Sequence, residues 1–186
     1  MTMELVWPRI EYLESYAAAL RNGWSPDNLR PQTAQDEIAR IAADPVLFIE
    51  QQVDPDAKGP PIVLNDGTTV PRIPGYQRWM WDGEFCGSIS YRWVPGTTAL
   101  PPHCLGHIGY SVVPWKRRRG YATRALRLLL EELRGGDMPF VEITTAVDNT
   151  ASRRVIEENG GELVEAFRKK EFHGGGEEYR FRIALK

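Results

Sequence analysis

Cysteine is scarce. Cys86 and Cys104 are the only two in 186 residues, too few for a disulfide framework in a chain of this size. Long apolar runs are missing too: no stretch approaches the roughly 20 residues a membrane-spanning helix needs. The N-terminal "MTMELVWPRIEYLESY" lacks the charged-then-apolar order of a secretory signal. Neither charge is in excess, with 23 basic and 25 acidic residues giving a net charge of −2. A nucleic-acid binder should show a basic surplus, so nucleic acid is not an expected partner. Internal repeats and low-complexity tracts are also absent. The expectation is a cytoplasmic protein with reduced thiols and no membrane partner. What remains is ordinary for a globular chain, 42% apolar and 26% charged, long enough for one core and short for two. One domain over residues 1–186 is expected.

Residues 1–75 read as an irregular, partly helical segment. "RIEYLESYAAALRNGW" carries Ile10, Leu13, Tyr16, Ala17 and Leu20 on one helical face ending near Gly23, and "TAQDEIARIAAD" reads as a second short helix with Thr33 as its cap. Pro55, Pro60, Pro61, Pro71 and Pro74, with "NDGT", mark loops around one short strand at "PIVL".

Residues 76–186 change to strand patterning. "YQRWMWDGEFCGSISYRWV" is two aromatic and β-branched runs joined by Asp82-Gly83, a strong hairpin signal. "GHIGYSVV" is a strand stopped by Pro114. A helix follows from about Tyr121 to Leu133, with Ala122, Ala125, Leu126, Leu129, Leu130 and Leu133 on one face. "FVEITTAV" reads as a strand buried on both faces. Asp148-Asn149 caps the helix "TASRRVIEEN", stopped by Asn159-Gly160-Gly161. A hairpin around Gly174-Gly175-Gly176 closes the chain and leaves an edge on which a homodimer could pair. The order β-β-β-α-β-α-β-β predicts an α+β fold, one twisted sheet flanked by helices.

The stretch "VVPWKRRRGYATRALRLLL" carries the chemistry. A strand ends, a short loop carries Arg117, Arg118, Arg119, Gly120, Tyr121 and Ala122, and a helix begins. A helix start offers unpaired N–H groups and a positive dipole end. Gly120 and Ala122 leave room for close approach, and the arginines add charge. This is a diphosphate cradle without the Gly-Lys-Ser/Thr of a nucleotide P-loop or the G-x-G-x-x-G of a dinucleotide fold. The competing reading is a solvated basic loop.

Arg117-x-x-Gly120-x-Ala122, after "SVVP" and at the head of "ATRALRLLL", resembles the R/Q-x-x-G-x-G/A signature of the GNAT acetyltransferase superfamily. "DNTASRRVIEENGG" resembles the family's second block, and the likeness covers roughly Tyr76 to Leu185. It implies the family's mostly antiparallel three-layer fold, with acetyl-CoA as co-substrate and a primary amine as acceptor. The diphosphate would lie on Arg117 to Thr123, the pantetheine arm along Tyr110, Ser111 and Val112, and Asn149 would touch that arm. The sub-pattern with Ser152 looks most like enzymes that acetylate protein N-termini or small amines. Ser152 is then the candidate for protonating the leaving thiolate.

The chain departs from the family where relatives commonly carry a glutamate and a tyrosine: Thr144 and Ile156 stand there. Glu142 and His107 are the open candidates for the general base, beside a water-mediated route. "PHCLGH" gathers His103, Cys104 and His107 but lacks a fourth zinc ligand nearby, and strand alternation would put Cys104 on the opposite face, so no metal is expected. A sequential reaction is expected because neither cysteine is near the signature in sequence. The missing glutamate and tyrosine keep a second reading open, a non-catalytic acyl-CoA sensor.

Overall fold

In the computed structural model, which describes every residue except Met1, Asn28, Leu29, Pro31 and Asn65, the chain begins with strand β1 (Glu4–Val6) and helix α1 (Ile10–Arg21). Leu13, Tyr16, Ala17 and Leu20 bury one stripe of α1 as their spacing requires, whereas Ile10 leads the helix and stays 52% exposed. Gly23, at φ +86°, turns the chain out of the helix. Thr33 does not cap α2 (Thr33–Ala43) but is its first residue. Its N–H already donates to Arg30 O at 3.0 Å in the preceding turn. A third helix, α3 (Pro45–Glu50), adds to the two that the sequence patterning predicts. Its signal was present: the Asp44 carboxylate accepts from the Val46 and Leu47 N–H groups, with proline at the first helical position. Three short strands follow, β2 (Val53–Asp54), β3 (Ile62–Val63) and β4 (Thr69–Val70). The "PIVL" strand is β3, paired with β4 across the "NDGT" turn, of which Asn65 lies outside the described residues.

From Gly75 the order is the expected one: β5 (Gly75–Trp81), β6 (Phe85–Arg92), β7 (Ile108–Val112), α4 (Tyr121–Leu133), β8 (Phe140–Ala146), α5 (Thr150–Glu157), β9 (Glu162–Arg168) and β10 (Glu177–Ala184). Beside the small β3–β4 pair, the single expected sheet is split into two. One runs β1-β5-β6-β7 with β2 also on β5, the other β8-β10-β9, and every pairing is antiparallel. Strand β9 is the outer edge, with Leu163 and Val164 exposed. Strand β8 is not buried on both faces. Val141, Ile143 and Thr145 are buried while their neighbours are half exposed, the alternation of an antiparallel strand.

Helices cover both faces of the first sheet. Trp79 and Phe85 pack against Tyr16 and Trp24, with Tyr16 stacked on Trp79 at 4.5 Å. On the other face Met80, Ile89 and Ile108 pack against Leu126 and Leu129 of α4, in a core shared with Val141, Ile143 and Phe181 of the second sheet. The Asp82-Gly83 hairpin carries a bulge: Trp81 pairs with Phe85 and Met80 with Gly87, so Cys86 is the extra residue. Gly87, at φ +150°, is required there, because a Cβ would lie 2.2 Å from Ser111 O.

Candidate functional site

Strand β7 ends the first sheet and β8 ends the second, and the two edges face each other without a ladder between them. They touch at one end. His107 N–H donates to Glu142 O at 2.7 Å, and Glu142 N–H donates to His107 Nδ1 at 2.9 Å. Gly106 permits this approach, since a Cβ there would lie 3.0 Å from Glu142 O. Beyond that vertex the strands part, and the gap between their C-terminal halves is a cleft of about 570 Å³. Tyr110 and Ser111 of β7, Thr144 and Ala146 of β8, and Asn149 and Ser152 at the start of α5 line it. A strand edge without a partner leaves backbone donors and acceptors that an extended ligand arm can pair with.

At the open end, β7 passes through a 3-10 turn, Pro114–Lys116, into the three-arginine loop. Arg118, at φ +59°, and Gly120, at φ +73°, are both left-handed, so the chain reverses twice within three residues. Helix α4 starts at once: Arg124 N–H donates to Gly120 O at 3.0 Å, which leaves the amides of Tyr121, Ala122 and Thr123 ahead of the helical ladder. Gly120 is exposed, and apart from its chain neighbours no atom of the described residues lies within 4 Å of where its Cβ would be. Arg117, Arg118 and Arg119 are exposed around it, and Arg117 Nε donates to Val112 O at 3.1 Å. Open amides, a bare glycine and three cations fit a diphosphate.

An ion-pair cluster holds this loop from below. Lys116 Nζ lies 2.9 Å from Asp82 Oδ2, and Tyr121 O–H donates to the same oxygen at 2.6 Å. Burial works against the Asp82 carboxylate, but the hydrogen bonds from Tyr121 and Lys116 outweigh it and hold its pKa down at about 2. The β5–β6 turn thereby fixes both flanks of the signature.

At the cleft, the Tyr110 hydroxyl lies 2.8 Å from Ser152 Oγ. Burial pushes the Tyr110 pKa up to about 12, with the Ser152 contact acting weakly the other way. Asn149 caps α5, its side-chain oxygen accepting from Ser152 N–H at 3.1 Å, so the cap also orients the serine. Ile156 of α5 is fully buried and presents nothing to the cleft, whereas Tyr110 brings a phenol to it from strand β7. Sequence spacing could not find that pairing, because it joins residues 42 apart.

Two base candidates are not in the cleft lining. His107 is 1% exposed, and its Nδ1 accepts the Glu142 amide. Burial lowers its pKa, against which the Glu142 charge acts more weakly, and its second nitrogen bonds the Thr98 backbone. It is a neutral strut at the vertex with no free nitrogen. The Glu142 carboxylate is gripped by Arg180 at 3.2 Å and Arg182 at 2.7 Å on the β10 side. Residues 103–107 precede β7 rather than alternating within it, so the expected opposition of Cys104 to the histidines does not occur. His103 and Cys104 both line the cleft. Burial raises the Cys104 thiol pKa and pushes that of Cys86 up to about 12, which disfavours either thiolate. Among the described residues no three His, Cys, Asp or Glu side chains converge as a metal site, and no helix is long and apolar enough to cross a membrane.

Splayed sheet edges, a helix start with a bare glycine at their open end and a half-buried hydroxyl pair between them define a protein that binds an extended anionic ligand and works on its far end. The model of the acetyltransferase (GNAT) domain matches residues 28–162, and the chain belongs to that family. Among curated proteins no relative matches the sequence. Solved structures with the same fold include a ribosomal L7/L12 alpha-N-protein acetyltransferase, RimL, in complex with coenzyme A. It is 17% identical, with 100% of this chain and 95% of that one covered at a TM-score of 0.66. The microcin self-immunity acetyltransferase MccE, in complex with acetyl-CoA and AMP, is 15% identical over 98% and 92% of the two chains, with a TM-score of 0.65. A Salmonella typhimurium acetyl transferase that modifies the N-terminal serine of L7/L12 is 17% identical over 100% and 96%, at 0.59.

Proposed function

We propose that residues 1–186 form one domain that transfers the acetyl group of acetyl-CoA to a primary amine of a small molecule or protein N-terminus. The observation that carries the reading is the alignment of an anion cradle at Gly120, an unpaired strand edge along Tyr110 to Val112 and a hydroxyl pair at Ser152. Each matches one part of the co-substrate: diphosphate, pantetheine arm and reacting thioester.

The thioester supplies the activated acyl group, and the chain's own residues do the rest. Arg117 to Thr123 hold the diphosphate by amides and charge. Free amides on the β7 edge donate to the arm and to the acyl oxygen as negative charge builds on it. Asn149 fixes the first turn of α5, and Ser152 Oγ–H gives its proton to the sulfur as the carbon–sulfur bond breaks. Tyr110 O–H then returns a proton to Ser152, and the proton that the attacking nitrogen sheds as the amide forms restores the phenol through cleft water; its raised pKa keeps Tyr110 protonated between turnovers. The amine arrives as ammonium and must lose a proton before attack. With His107 and Glu142 engaged elsewhere, water or another cleft residue accepts it.

The test is release of free coenzyme A against a panel of primary amines, with mass analysis of enzyme and product. Acetylated amine with unmodified enzyme supports direct transfer. An acetyl group trapped on Cys104, the thiol lining the cleft, would replace it with a two-step reaction. Tight acetyl-CoA binding without transfer to any amine would leave the sensor reading.

A further inference from the structure

The two faces of the cleft differ. Alternation along β7 sends Tyr110 toward α5 and Gly109 and Ser111 the other way, and the contacts agree. Tyr110 meets Ser152 on one side, while Ser111 Oγ accepts from Trp24 Nε1 at 3.0 Å on the other. The second face has a polar floor from β5 and β6: Gln77, Ser88, Ser90 and Arg92. A row of hydrophilic side chains at the back of a cleft is out of place in a packed sheet, and Gln77 Oε1 is buried there without a hydrogen-bond partner among the described residues.

Among the described residues, the arginines and the lysine that line the cleft are paired with one exception. Arg30 is bound by Asp27 at 2.8 Å, and Lys169 by Glu178 at 2.9 Å, the latter pair nearly buried with 9% exposure on each side chain. Among the described residues Arg92 has no carboxylate partner; its guanidinium contacts the Cys104 thiol. It lies across Gly109, where a Cβ would come within 3.1 Å of Nη2. A half-buried guanidinium facing a cleft has lost part of its hydration without gaining a counter-ion, an arrangement typical of a site completed by a ligand.

The diphosphate of the co-substrate is not that ligand. Arg92 sits at the vertex, its N–H donating to His107 O at 2.9 Å, whereas Gly120 follows the far end of β7. The five residues of β7 separate them, a span of about 13 Å at roughly 3.3 Å per residue, and they serve opposite faces. Resting on the acetyl-transfer reading, we propose that Arg92 is an anion anchor for the acceptor, and that the acceptor is a primary amine whose own molecule carries a carboxylate or phosphate close to the amine. The planar fork of arginine takes either group through two parallel hydrogen bonds.

The experiment is calorimetric titration of the coenzyme A-saturated protein with matched amines: Ala-Asp-amide against Ala-Asn-amide, Ala-phosphoserine-amide against Ala-Ser-amide, and β-alanine against β-alaninamide. The wild type should bind the anionic member of at least one pair about tenfold or more tightly than its neutral partner, as a charge-assisted hydrogen bond supplies. That ratio should fall to about one in Arg92→Gln and survive in part in Arg92→Lys, which keeps charge but loses the fork. The pair that responds says whether a peptide carboxylate, a phosphate or a small amino acid is the source. Coenzyme A affinity, equal in all three proteins, verifies that the variants fold. Equal or undetectable binding of both members of every pair, or selectivity that persists in Arg92→Gln, would overturn the proposal. Failure of coenzyme A itself to bind would instead remove the acetyl-transfer reading on which it rests.

Discussion

The Tyr110 hydroxyl and Ser152 Oγ lie 2.8 Å apart across the mouth of the cleft, one from the last strand of the first sheet and one from the first turn of α5. Neither element alone makes a proton donor. Together they set a serine hydroxyl beside a phenol that burial keeps protonated, the pair the proposed relay uses.

Removing either hydroxyl should therefore slow turnover more than it weakens co-substrate binding. Ser152→Ala is expected to lower kcat by about a hundredfold and Tyr110→Phe by about tenfold, the low end of general-acid effects. The KM for acetyl-CoA should move little. Because the two act as a unit, the double variant should be no slower than Ser152→Ala. Steady-state kinetics on all three proteins checks this, and multiplicative losses would separate the residues.

The Asp82–Lys116 pair is buried, with 8% and 9% side-chain exposure. Lys116→Met leaves the Asp82 carboxylate with Tyr121 but without its counter-charge, and loss of one partner of a buried pair costs about 3–5 kcal/mol. Urea unfolding should show a loss of that order. A surviving folded fraction should bind acetyl-CoA more weakly, since the cluster fixes the loop that precedes Gly120. The Asp82 pKa lies below the ordinary value, so its contribution is present above pH 3.8 and is lost as pH falls toward about 2. Acid unfolding of wild type should be steeper than that of Asp82→Asn.

Glu37 runs the other way. It is 6% exposed between α1 and α2, accepts a hydrogen bond from the Tyr16 hydroxyl, and burial raises its pKa from 4.5 to about 7, with Tyr16 and Arg40 opposing. A raised pKa gives a contribution fully present below pH 4.5 and lost as pH climbs through about 7. Wild type should lose up to about 3 kcal/mol from this group between pH 5 and 9, at roughly 1.4 kcal/mol per pKa unit. Glu37→Gln, which keeps a neutral acceptor for Tyr16, should flatten that slope. Thermal melts across the range decide it, and parallel curves for the two proteins would contradict it.

Gly87→Ala tests the bulge. A Cβ 2.2 Å from Ser111 O cannot be accommodated without moving β6 away from β7, and φ +150° is unfavourable for any side chain. A loss of about 2–4 kcal/mol is expected, with weaker acetyl-CoA binding because Ser111 lines the cleft.

Much of this was legible in the sequence. Helix α4 begins and ends where its leucine spacing and Gly120 say, and Asn149 caps α5 as its position predicts. Local signals carry such elements because the deciding contacts lie within a few residues. The break into two sheets was not legible, since it depends on which edges His107 and Glu142 bring together across 35 residues. The same distance hid the fate of the base candidates. Glu142 looks available as a lone carboxylate on a strand until β10 sets Arg180 and Arg182 beside it. The sequence points to Tyr110 for its backbone alone, and only the fold brings its hydroxyl to Ser152.

Calorimetric titration of wild type and Gly120→Glu with acetyl-CoA, coenzyme A and ATP shows whether the Arg117–Thr123 loop is a cradle for the co-substrate's diphosphate. Apart from its chain neighbours, no atom of the described residues lies within 4 Å of a Cβ at Gly120, but φ +73° strains any side chain there by about 1–2 kcal/mol, so thermal melts accompany the titrations to verify that the variant folds. Micromolar binding of acetyl-CoA and coenzyme A by wild type, weakened at least about a hundredfold in folded Gly120→Glu by bulk and charge repulsion, is the predicted result. Equal affinity in the two folded proteins, or no binding by wild type, would contradict it.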